Sequence, residues 1–314
     1  MRLIKPSTIK LAREARRVQG FSLADFLHGY IYGHWVYEYI SIGTGQHPLA
    51  RLWSRLLRIF TQPRTKTPPN ARIKSQDCAP TGTTADGYHG KVVPFEAVRQ
   101  LVQVNENVRL QNLEKIIPYS RARDIILENP DHIVVLECPC RSARPDPCLP
   151  LDVCLIVGEP FASFVNEHHP ARSRPISQSQ AVEILQAEAE RGHVHHAFFK
   201  DAMLGRFYAI CNCCGCCCGA LDAHRHGTPM LAPSGFTVRV DQALCLGCGA
   251  CASLCQFEAL SVDGYVALVD ETACMGCGVC VTHCPQGALA LERDPSKGEP
   301  LEIMDLIDNA ALPS

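Results

Sequence analysis

Eighteen of the nineteen cysteines in this chain fall in tight groups, and thiolates crowded this closely are the donors that soft metals take. The most regular grouping lies between Val240 and Leu289. Cys245, Cys248, Cys251 and Cys255 follow the spacing C-x2-C-x2-C-x3-C, and Cys274, Cys277, Cys280 and Cys284 repeat it at a constant offset of 29 residues. Three thiolates at three-residue intervals wrap a tight, Gly-bearing loop around three corners of a cubane. The fourth leaves on a short helix and ligates the other cluster. This assigns Cys245, Cys248, Cys251 and Cys284 to one [4Fe–4S] cluster, and Cys274, Cys277, Cys280 and Cys255 to a second. A pair of zinc sites is the alternative for two sets of four cysteines. The matched runs, each followed by an Ala-Leu pair, favour the clusters.

Ten more cysteines lie upstream: Cys138, Cys140, Cys148, Cys154, Cys211, Cys213, Cys214, Cys216, Cys217 and Cys218. All ten are candidate ligands of one or two additional iron–sulfur centres. Neighbouring side chains on an extended segment point to opposite sides, so Cys213 and Cys214 are not expected to share one mononuclear site. Ten thiolates suffice for two cubanes with two left over, or for one cubane and a non-cubane centre. A zinc site, a reversible disulfide switch or merely buried thiols are the competing readings. His193, His195 and His196, with His168, His169, His224 and His226, lie near these runs and could replace cysteine on an iron. Histidines so placed more often serve a core or a surface.

The elements that must position these residues are legible in part. Asp131–Glu137 reads as a buried strand that delivers Cys138-Pro-Cys140-Arg141, and Arg206–Ile210 as a strand delivering the run Cys211–Cys218. His193–Phe199 reads as a further strand, and Phe95–Val102 as helical. Ser177–Gln180 is a capping-box start for a helix Ala181–Arg191 that Gly192 stops. The expected organisation is a helical basic and aromatic arm at 1–60, a Pro/Thr/Gly-rich linker at 61–91 containing the isolated Cys78, and a Cys-rich α+β block at 92–235. A two-repeat domain at 236–293 and a peripheral tail at 294–314 complete it.

Charge is uneven. Residues 1–74 hold 13 Lys/Arg against 3 Asp/Glu, whereas the whole chain has 30 against 32. Seven aromatics fall between Phe21 and Tyr39, with Arg51, Arg55 and Arg58 beyond. Such a segment can pack on its own fold, lie on an anionic membrane surface or fill a groove on a partner. No secretory signal and no run of about 18 apolar residues is visible, so the expected location is cytoplasmic, with peripheral contact at a membrane through residues 1–60 as a further reading. No dinucleotide fingerprint, flavin motif or P-loop is present, since Gly247-Cys-Gly249 belongs to a cysteine loop, which argues against a self-contained dehydrogenase. Nothing points to nucleic acid.

The stretch Val240–Leu289 resembles the bacterial-type two-cluster ferredoxin domain. One departure is visible: the proline that follows the fourth cysteine is present at Pro285 but replaced by Gln256 in the first copy. The larger pattern, with Cys138-Pro-Cys140-Arg141, Cys148-Leu-Pro-Leu-Asp152-Val-Cys154 and the run Cys211–Cys218, resembles multi-cluster ferredoxin-type proteins over roughly residues 88–293. The resemblance implies cluster binding and electron transfer without naming a substrate. The fold expected is α+β, with a pseudo-twofold two-cluster domain after a Cys-rich α+β block and a helical arm. The function expected is single-electron relay to a partner redox enzyme, through two [4Fe–4S] clusters and one or two further centres. The rivals are an iron–sulfur oxidoreductase with its active centre in the middle block, and a redox-sensing scaffold.

Overall fold

The computed structural model describes residues 5–48, 84–111 and 113–311. Cys78, most of the expected linker and the basic residues Arg51, Arg55 and Arg58 lie outside them. The fold is a mixture of helix and sheet. Its centre is an eight-stranded sheet in the order β2-β3-β4-β7-β6-β1-β8, with β5 also on β3. The strands are β1 (Tyr88–Val92), β2 (Val108–Leu110), β3 (Ile125–Glu137), β4 (Asp152–Glu159), β5 (Ser173–Ile176), β6 (Val194–Lys200), β7 (Arg206–Cys213) and β8 (Leu231–Ala232). All pairings are antiparallel except β1 with β8.

Register decides where the cysteines arrive. Leu136 on β3 faces Cys154 on β4, and Leu155 on β4 faces Ile210 on β7. The C-terminal ends of β3 and β7 therefore meet the N-terminal end of β4 at one end of the sheet. The strands that bring them there are apolar runs, with Ile133, Val135, Leu155, Phe198 and Ile210 each at most 1% exposed. The helix Gln178–Glu190 starts in a capping box, where Ser177 Oγ accepts from the Gln180 N–H at 3.2 Å and Gln180 Oε1 accepts from the Ser177 N–H at 3.0 Å. Such a cap contributes about 1 kcal/mol.

Two sequence expectations are corrected. Residues 88–91, assigned to the linker, form β1 inside the sheet, between β6 and the edge strand β8. The polar letters of His89, Gly90 and Lys91 disguise it, yet His89 and Lys91 are at most 1% exposed, with His89 bonded to the Ala85 and Ala122 carbonyls and Lys91 Nζ to that of Glu299. The tail is not peripheral throughout. Leu301 and Ile303 are buried, and the Glu299 N–H donates to the Lys115 carbonyl at 3.1 Å.

The described part of the N-terminal arm is α1 (Pro6–Ala15), α2 (Leu23–His34) and α3 (Val36–Gly43), and it packs on the block. Leu11, Ala15, Tyr32 and Val36 join the main core. A Cβ at Gly29 would collide with the Ala202 carbonyl, and one at Gly33 with the Phe164 ring, so these two glycines let α2 lie close. His34 and Thr8 hydrogen-bond His168, and the Gly33 carbonyl is bonded to His169 Nε2 at 2.7 Å. Arg13, Arg16 and Arg17 stay exposed, as do Leu23, Leu27, Ile31 and Trp35, which recur every four residues along one side of α2.

Candidate metal centres

In the C-terminal region β9 (Phe236–Val240) pairs with β12 (Leu289–Arg293), and β10 (Leu260–Asp263) with β11 (Val266–Val269). Each repeat places a cysteine loop before a short helix, Ala250–Leu254 or Val279–Thr282. Gly247 and Gly276 hold left-handed φ values of 63° and 65°, and a Cβ on either would strike backbone of Tyr265 or Phe236. The loops can therefore close tightly only as glycine.

A small cavity is lined by Cys245, Cys248, Cys251 and, from the other repeat, Cys284. Its wall offers no carboxylate and no imidazole. Backbone N–H groups of Ala267 and Ala288 donate to the Sγ atoms of Cys245 and Cys284 at 3.4 and 3.3 Å. In the second set, burial pushes the thiols of Cys277, to about 12, and Cys280 upward, and the neighbouring charges of Cys255 and Cys274 add to this. A soft metal binding such thiols takes them as thiolates and releases their protons. The Ala259 N–H donates to Cys255 Sγ at 3.3 Å, matching the bond at Cys284. Crowded soft donors with N–H groups aimed at sulfur suit an iron–sulfur cluster. The two sets differ in exposure: Cys248 is exposed and Leu244, Leu246 and Tyr265 stand uncovered nearby, whereas Cys274 and Cys280 are buried and Met275 and Val279 belong to the main core.

The ten upstream cysteines separate in space. Cys138, Cys140, Cys154, Cys211, Cys213 and Cys218 line a cavity at the end of the sheet where β3 and β7 finish and β4 begins. Hydrogen bonds from Cys140 and then Cys154 hold the Cys138 thiol well below its usual range, and those from Cys154 and Cys213 hold Cys211 at about 6. Under the cavity Arg141 is 1% exposed; it pairs with Glu188, donates to the Pro150 and Asn212 carbonyls at 2.5 and 3.1 Å, and lies 3.1 Å from His193 Nδ1. Cys148 and Cys216 are not in this wall. With Cys214 and Cys217, which also border the cavity, they form a separate quartet.

The opposite wall was not foreseen. Tyr32, Tyr88 and Tyr208 line it together with Val36 and Ile40 of the arm. The Tyr32 and Tyr208 hydroxyls are 2.7 Å apart, and Lys200 Nζ lies 4.8 and 4.7 Å from the Tyr32 and Tyr88 ring centres. Tyr208 is an extra residue on β7, since Ala209 faces Phe198 and Phe207 faces Phe199. Bulges of this kind re-aim a side chain and leave no mark in the sequence. The histidines do not enter either cavity wall: His193 is bonded to Glu188, His195 to Asn212, and His168 and His169 hold the arm.

Gln256 was also missed, although its replacement of the expected proline was the available signal. Its Oε1 accepts from the Gly215 N–H at 2.6 Å and its Nε2 donates to the Gly192 carbonyl at 3.1 Å. Arg225 donates to the Gly215 and Gln256 carbonyls, both at 2.8 Å. The first repeat is thereby fastened to the loop between Cys214 and Cys216.

Residues 238–261 and 267–290 each match the family model of the 4Fe-4S binding domain. These two matches mark the C-terminal region as a two-cluster ferredoxin domain, a unit that binds [4Fe–4S] clusters for electron transfer. No curated protein matches the chain.

Proposed function

We propose that this protein is an electron carrier whose two-cluster domain exchanges single electrons with a redox partner and with thiolate-bound metal in the central block. Cys245, Cys248, Cys251 and Cys284 would hold one cluster, and Cys274, Cys277, Cys280 and Cys255 the other. The single observation that carries this is the cavity shared by Cys245, Cys248 and Cys251 with Cys284 of the opposite repeat. The crossed pairing of β9 with β12 and β10 with β11 supports a pseudo-twofold relation between the repeats. When bound, the clusters supply reversible one-electron storage at low potential. The chain's part is to hold the thiolates, aim N–H groups at sulfur and set solvent access.

The first set faces outward, and its uncovered apolar rim of Leu244, Leu246 and Tyr265 suits brief contact with a partner protein. The second set abuts the block, where Gln256 reaches the cysteine loop. A cytoplasmic carrier fits; no helix among the described residues is long and apolar enough to cross a membrane. The exposed stripe of α2, with the exposed Arg13, Arg16 and Arg17 that precede it in the chain, is the part of the arm suited to an anionic surface.

Anaerobic preparation with iron and sulfide analysis tests the proposal. About eight irons should belong to the repeats, and reduction should give the spectrum of two interacting [4Fe–4S] clusters. Zinc in those sites, or clusters that exchange no electron with the block, would overturn it. A second reading draws on the larger cavity, which is lined by eight cysteines and three tyrosines among aliphatic side chains: a small molecule could be reduced there. Small-molecule binding that perturbs the block's spectrum would favour that reading.

A further inference from the structure

The quartet Cys148, Cys214, Cys216 and Cys217 differs from the other thiol groups in its dimensions. All four Sγ atoms lie within 4.8 Å of one another. Cys216 Sγ is 2.9 Å from Cys148, 3.2 Å from Cys214 and 3.7 Å from Cys217. Four thiolates bound tetrahedrally at about 2.3 Å from one ion stand about 3.8 Å apart. The ligands of a cubane each bind a different iron, so the cube itself holds them wider. The quartet matches a single ion.

The chain builds this quartet from two places. Cys148 lies on the loop that leads into β4, and the other three follow β7 at the turn where the Cys218 N–H donates to the Cys214 carbonyl at 3.1 Å. Cys213 ends β7 inside the cavity, and Cys214 begins the loop beyond it, so adjacent cysteines serve different sites. The Cys148 N–H donates to Cys217 Sγ at 3.5 Å, the kind of bond that steadies a thiolate. Cys214 and Cys217 are buried and Cys216 is exposed, so an ion can enter without the fold opening. Four thiolates around a divalent ion leave two negative charges. Arg144 and Arg225 flank the loop, donating to the Cys217 and Gly215 carbonyls at 3.5 and 2.8 Å.

We propose that Cys148, Cys214, Cys216 and Cys217 form a mononuclear tetrathiolate site for zinc or iron, distinct from the polynuclear centre of the six cavity cysteines. Tetrahedral all-sulfur coordination admits either metal. This rests on the reading that the block binds metal, and it divides the block's cysteines between two sites. The location is consequential: Gln256, next to Cys255, is hydrogen-bonded to Gly215 between two members of the quartet. Iron there would extend electron exchange from the repeats, whereas zinc would lock the repeats to the block.

The test is elemental and sulfide analysis of full-length protein prepared anaerobically, compared with a Cys148→Ser/Cys216→Ser double variant, whose residues do not line the cavity. The expected result is loss of one metal ion per chain with sulfide unchanged. Loss of one zinc identifies a structural site, and loss of one iron a redox site; both support the proposal. Loss of several irons together with sulfide overturns the division while leaving metal binding by the block intact. Unchanged metal overturns the site. If the variant aggregates, cobalt(II) exchange into the wild-type chain decides. One equivalent with the spectrum of tetrahedral cobalt thiolate supports the site, and any other cobalt spectrum, or none, overturns it. A block that holds no metal in either protein sinks the wider reading instead.

Discussion

In the C-terminal repeats each proposed ligand set takes three members from one loop of seven residues and one from its twin, so most of the geometry is local. The cavity at the end of the sheet gathers Cys138, Cys140, Cys154, Cys211, Cys213 and Cys218 from the ends of β3, β4 and β7 and the segments beside them, up to 80 residues apart, with Arg141 in its wall. A local site tolerates strain in the rest of the fold. A site assembled by strand register depends on everything that keeps the strands aligned, and it should fail first when that support is removed.

The largest effect should come from Arg141→Met. Arg141 and Glu188 are side chains at most 1% exposed, and removing the guanidinium leaves the carboxylate buried, although Arg191 and His193 still contact it. Breaking such a pair typically costs about 3–5 kcal/mol. Thermal unfolding followed by circular dichroism should show that loss, and iron analysis should show depletion of the block before the repeats. A variant as stable as the parent would break the comparison. Next in size, Cys284→Ala should empty the cavity that holds Cys245, Cys248 and Cys251, removing about four of eight ferredoxin irons. Spectra that lose the cluster of Cys274, Cys277 and Cys280 instead would refute crossed ligation.

The same contrast explains what could be read from the letters. Two runs at a fixed offset announce their own chemistry, because spacing is the geometry. The strands that deliver Cys138 and Cys211 were visible as apolar runs. The partition of ten cysteines was not, because it depends on the order β3-β4-β7 and on the turn after Cys213. Both Cys213 and Cys214 border the larger cavity, and only Cys214 joins the quartet. β1 escaped because buried His89 and Lys91 look like surface residues until their backbone partners are known. The arm escaped because aromatic, Arg-rich helices look alike whether they cover a core or a membrane; here Tyr32 and Val36 close the larger cavity.

Removing residues 1–48 sharpens that point. The truncated protein should keep the clusters of the repeats and lose metal from the six-cysteine cavity, because one wall is gone. Iron analysis combined with co-sedimentation on anionic vesicles separates the roles. Full iron with salt-sensitive vesicle binding lost would mean that the arm is a docking element and not a wall. A smaller effect follows from pH. Burial lowers His89 and His195 to about 4 and His196 to about 3, against an ordinary value of 6.5. The unfolded chain therefore binds more protons below pH 6.5, so the sheet is steady above that value and loses stability as pH falls toward 4. The repeats have no buried histidine. Hydrogen exchange at pH 7 and pH 5 should show the sheet loosening and the repeats unchanged; equal loosening of both would erase the distinction.

The smallest effect should lie where the two regions meet. Gln256→Ala removes an acceptor for the Gly215 N–H and a donor to the Gly192 carbonyl, while the Arg225 contact with the Gln256 carbonyl can persist. Hydrogen bonds of this kind contribute about 1 kcal/mol each, so the domain should loosen without detaching. Neither cluster loses a ligand, and iron content should equal that of the parent. What should change is the passage between regions: after rapid reduction of the repeats, the block's signal should appear more slowly in the variant. Comparison with Gln256→Glu refines this, because a carboxylate can still accept from Gly215 but cannot donate to Gly192. A rate restored by Glu would assign the coupling to the Gly215 bond. A rate unchanged in both variants would show that electrons pass between the regions elsewhere, and that Gln256 only fastens them.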